Sequence, residues 1–160
     1  MQFLIQAVGA IPAIQQILST VTGRGNSPAA VFGLTDTARS VFSACLSQKT
    51  GKKLFVITES EAAAHRMAAD AKALGLRSVV FPARDYHFLQ TLGFSREYEH
   101  KRIGALWRFL TGDFDLAFLD IEALTQKTLP PEALRAAAVR LSPGDEIDLA
   151  AFRDRLIGMG

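Results

Sequence analysis

Residues 29–40 read Ala-Ala-Val-Phe-Gly-Leu-Thr-Asp-Thr-Ala-Arg-Ser, and their spacing points most directly to chemistry. An apolar run over 29–32 stops at Gly33, and an amphipathic pattern (Val41, Phe42, Cys45, Leu46) follows Arg39 and Ser40. A phosphate-binding loop between strand and helix takes Gly, four residues, Gly, Lys and Ser/Thr. This chain has Gly33, four residues, Ala38, Arg39 and Ser40, so the frame is intact and two essential positions differ. Such a loop wraps successive backbone N–H groups around phosphate oxygens at a helix N-terminus. Ala38 adds a β-carbon where the wrapping needs room, and Arg39 is bulkier and planar where lysine gives a slim point charge. In the stretch Gly33, Thr35, Asp36, Thr37, Ala38, Arg39, Ser40, the carboxylate of Asp36 opposes a polyphosphate, yet it suits the first turn of a helix without ligand. Ser40 retains the hydroxyl that meets Mg²⁺ in working loops, which alone carries little. The expectation is a structural turn with no bound cofactor. A small P-loop nucleotidase with an atypical loop is the alternative.

Other candidates are weaker. Leu116-Ala-Phe-Leu-Asp120-Ile-Glu122 has the form of a strand ending in a magnesium-binding carboxylate, and equally that of a strand ending in a helix cap. Residues 96–102, Arg-Glu-Tyr-Glu-His-Lys-Arg, are the densest charged run. Glu97 and Lys101 form a favourable i,i+4 pair on a solvated helix face. Arg96, Lys101 and Arg102 there are the candidate contacts for nucleic acid or a partner. His65 and His100 have no second ligand at metal spacing, so no metal site is expected. His87 lies among aromatics in Tyr86-His-Phe88, in a stretch read as a loop packed back on the sheet. No nucleophile–base arrangement can be assembled.

The positioning elements follow from periodicity. Ile11, Ile14, Ile17, Leu18 and Val21 recur at helical spacing, and residues 23–28 are loop by composition. Strands are expected over 29–32, 54–57, 78–81 and 116–119. The second of these reads as buried on both faces, because it is continuously apolar and bounded by turn residues. Helices are expected over 36–48, closed by Gly51, and from a capping box Thr58-Glu-Ser-Glu61 to Leu74. A long helix capped by Ser95 would turn Tyr98, Ile103, Leu106, Trp107 and Leu110 inward and end at Gly112. A short helix spans 122–126. Residues 83–94 have no clear periodicity. Alternating strands and helices imply an α/β fold: a parallel sheet with helices on both faces. Its ligand rim would carry Gly33, Thr58, Pro82 and Asp120. Beyond Leu129-Pro-Pro131 the pattern suggests a short strand over 135–141, a turn over 142–146 and a last helix capped by Asp148.

Bulk properties fit this picture. Of 160 residues, 49% are apolar and 21% charged, and the net charge of +2 is too small to argue for nucleic acid without clustering. The single cysteine, Cys45, excludes an internal disulfide and falls on an apolar helix face, as a buried thiol would. Residues 1–18 lack a basic n-region and are interrupted by four glutamines, so neither a signal peptide nor a membrane span is expected, and the default location is cytoplasmic.

Several blocks in order resemble one family. They are the degenerate loop 33–40, Leu54-Phe-Val-Ile-Thr-Glu59, Phe81-Pro-Ala-Arg-Asp85 and Phe94-Ser-Arg-Glu-Tyr-Glu-His-Lys-Arg102. After Leu129-Pro-Pro131 come Leu141-Ser-Pro-Gly-Asp-Glu-Ile-Asp-Leu149 and Leu156-Ile-Gly-Met-Gly160. The set is similar to the N-terminal segment of bacterial transcription-repair coupling factors (Mfd), the part related to excinuclease subunit UvrB. That resemblance implies a RecA-like, three-layer domain over 1–128 that has lost its nucleotide site, in agreement with Ala38 and Arg39. It implies that residues 129–160 are a linker and the beginning of a second domain, the one that docks UvrA in the family, and that the segment helps hold the parent protein inhibited. UvrB's DNA-clamping hairpin would fall near 85–94, a stretch too short to hold it. ATP and Mg²⁺ would act in the motor domains of the parent translocase. RNA polymerase and DNA would be met through that parent and not through this segment, which is expected to be an excised piece.

Overall fold

Three apolar runs form the strands. Leu116-Ala-Phe-Leu contributes the middle one, and Leu116, Ala117, Phe118 and Leu119 are all buried because both faces and both edges are covered. The computed structural model describes residues 2–23, 28–84 and 97–158. They fall into two compact units, Met1–Gln126 and Lys127–Gly160. The first contains α1 (Gln2–Gly9), α2 (Pro12–Thr22), α3 (Asp36–Thr50), β1 (Leu54–Thr58), α4 (Glu61–Ala73), β2 (Ser78–Val80), α5 (Glu97–Thr111), β3 (Leu116–Asp120) and α6 (Ile121–Thr125).

The sheet is parallel throughout, in the order β1-β3-β2, with Val56 and Val80 both in register with Phe118. The chain crosses from β1 to β2 through α4 and returns to β3 through α5. Connections of one hand therefore place the two helices on opposite faces. On one face Leu116 and Phe118 meet Ala44 and Cys45 of α3 and Ala64, Ala68 and Ala71 of α4; their small side chains let the helices approach closely, and Ile5 and Ile14 close the outside. On the other face Ala117 and Leu119 meet Ala105, Leu106 and Phe109 of α5, together with Phe114. Phe109 is edge-on to Phe114 and to Phe55 at 5.2 Å in each case, contacts worth about 0.5–1.5 kcal/mol beyond their buried area. The fold is thus α/β with a small three-stranded parallel sheet, compatible with a Rossmann or RecA-like layout.

Helix ends follow local chemistry. Gly51 closes α3 in the left-handed region at φ +66°. The cap of α4 is Ser60, whose Oγ accepts from the Ala63 amide at 3.2 Å, and not the expected Thr58. Thr58 ends β1, and its hydroxyl donates to the Ser60 carbonyl at 2.9 Å.

Four further expectations are corrected. Residues 29–32 form no strand; two alanines favour strands weakly, and Phe32 is left 88% exposed. β1 is buried on one face only. It lies at the sheet edge, where Phe55 meets Phe109 and Phe114 only edge-on, so Phe55 and Ile57 are 57% and 56% exposed. In α5 the inward line runs through Arg102, Ala105, Leu106 and Phe109, whereas Tyr98, Ile103 and Trp107 are exposed. Each residue turns the helix by about 100°, so the line of large apolar residues and the line through Arg102 define different faces. In the second unit, residues 131–137 are helical: α7 (Pro131–Ala137) begins with proline at its first position, where the missing N–H costs nothing. The last helix, α8 (Leu149–Gly158), is capped by Asp148, whose Oδ1 accepts from Ala150 and Ala151 amides.

Candidate functional site

A glycine turn precedes α3 at Gly33, the first position of the expected nucleotide frame. Gly33 sits at φ +79°, and Thr35 enters α3 in an extended conformation without a side-chain cap hydrogen bond. Asp36 opens the helix and lies 3.6 Å from Arg39 one turn later, both side chains being exposed. Arg39, expected at the place of a loop lysine, thus pairs within the first turn of its own helix. Ser40 is 1% exposed, and its Oγ has no hydrogen-bond partner among the described residues. A groove of about 310 Å³ runs between this end of α3 and α4, with Thr37, Arg39 and Ser40 on one wall and Arg66, Met67 and Asp70 on the other. Asp36, Glu59 and Asp70 oppose its two arginines. A lining of mixed sign does not concentrate a polyphosphate.

The strand ends on the same rim are engaged in structural bonds. Asp120 Oδ1 accepts from the Ala123 amide at 2.7 Å and so caps α6. Beyond β2, Gln126 clamps residue 84 from both sides, accepting from the Arg84 amide at 2.6 Å and donating to its carbonyl at 3.2 Å. Among the described residues no three His, Cys, Asp or Glu side chains gather as a metal set would.

The three candidate contacts for nucleic acid or a partner separate. Arg96 lies outside the described residues, as do His87 and the rest of 85–96. Lys101 bonds Glu97 at 2.7 Å on the exposed face and stands over the Tyr98 ring. That bond holds the Glu97 carboxyl below and the Lys101 ammonium above their ordinary values. Arg102 overturns its expectation. It is 3% exposed, its Nη1 donates to the Pro82 carbonyl, and its guanidinium lies 4.1 Å from the Phe81 ring centroid. It ties α5 to the end of β2 and does not reach solvent.

One charged cluster has no local signal in the sequence. Arg77, just before β2, reaches Asp115, just before β3, through Nη2 at 2.7 Å, and Asp113 through Nη1 at 3.0 Å. Hydrogen bonds from Arg77 hold the Asp115 carboxyl below the usual carboxylate range. Only the register, which sets residue 78 beside 116, brings these charges together. Cys45 is fully buried, and burial pushes its thiol pKa up.

No protein-family model matches the chain, and no solved structure matches it. The transcription-repair-coupling factor of Bacillus subtilis (strain 168) is 25% identical over 130 residues, a match covering 80% of this chain and 11% of that protein. The chain therefore spans a small part of the relative's length. No single described helix is long and apolar enough to cross a membrane. Over most of its length the chain is thus distantly related to a transcription-repair coupling factor.

Proposed function

We propose that this chain serves as a UvrB-like, non-ATPase interaction and regulatory module of a transcription-repair coupling factor, an ATP-dependent DNA translocase that displaces stalled RNA polymerase and recruits nucleotide excision repair. The observation that carries the reading is the first turn of α3. The glycine turn is kept, but Ala38 fills the last glycine position and Arg39 pairs with Asp36. A chain that keeps the glycine turn and the helix after it, but not the phosphate chemistry, suits docking better than turnover. The distant relation to a coupling factor supplies the context. The partners in this reading are UvrA and the parent protein's own C-terminal domains, in the cytoplasm, with ATP and Mg²⁺ confined to the motor domains.

Phosphate release from ATP·Mg²⁺, measured with and without duplex DNA, tests it. The expected rate equals that of buffer. Turnover that disappears in Arg39→Ala would overturn the reading and favour a nucleotidase.

A further inference from the structure

We draw no further inference here: the strongest candidate, the groove between α3 and α4 that the buried Ser40 lines, belongs to the site already described, and its lining of mixed sign selects no one ligand chemistry.

Discussion

Replacing Arg102 with alanine separates a structural arginine from a phosphate-binding one. Arg102 is buried, donates to the Pro82 carbonyl and lies 4.1 Å from the Phe81 ring centroid. A hydrogen bond from a charged donor contributes about 1.5–3 kcal/mol, and a desolvated cation–π contact about 2 kcal/mol. The two share one side chain and are not additive, so the expected loss is about 3 kcal/mol. In a unit of this size that lowers the melting temperature by about 10 °C. Lysine keeps the charge but cannot lay a flat fork on the ring, so Arg102→Lys should recover about half of the loss. Urea unfolding followed by circular dichroism gives the stabilities, and anisotropy of a labelled duplex at low salt gives DNA affinity. The refuting result is an Arg102→Ala protein of unchanged stability whose DNA affinity collapses, with Arg102→Lys restoring affinity and a steep salt dependence.

Asp115→Asn tests the pairing before the strands. Because the folded carboxyl is held low, its stabilisation is complete above the ordinary value near pH 4 and fades as pH falls through the folded value. The variant should be about 1 kcal/mol less stable at pH 7, a difference that shrinks in acid; a constant difference in urea titrations across pH would contradict this. Asp120→Ala should lose a helix cap worth about 1 kcal/mol, equally with and without Mg²⁺, and a magnesium-dependent difference in thermal midpoint would revive the metal reading. Cys45 should react with a thiol reagent only as fast as the protein unfolds, so rapid labelling of the native chain would be inconsistent with its burial.

What could be read in the sequence divides along a physical line. The strand over 116–119, the left-handed Gly51 and the helical pattern of 36–48 are local and period-driven, and they stand as expected, whereas the middle place of that strand comes from the sheet order. The errors came where tertiary context decides. Leu54-Phe-Val-Ile57 reads as doubly buried because its residues are apolar, but an edge position leaves half of it uncovered. Arg102 reads as solvated because charge is normally outside, and only the neighbouring Pro82 carbonyl and Phe81 ring reverse that preference. Thr58 and Ser60 both precede Glu61 at plausible cap spacing, and the strand's extra residue decided between them. At the candidate site the altered loop positions were visible at once. The Asp36–Arg39 pair required the helix geometry, and the burial of Ser40, without a hydrogen-bond partner among the described residues, required the packing of α3 against α4.

Whether the glycine turn at Gly33 holds a nucleotide is the most direct test of a non-ATPase module. Isothermal calorimetry of ATP·Mg²⁺ into the wild-type chain and Arg39→Ala measures it. No saturable heat below millimolar nucleotide, in either protein, is the result the account predicts. Micromolar binding by the wild type that is lost in Arg39→Ala would contradict it, because the turn would then be a working phosphate cradle and not a structural remnant.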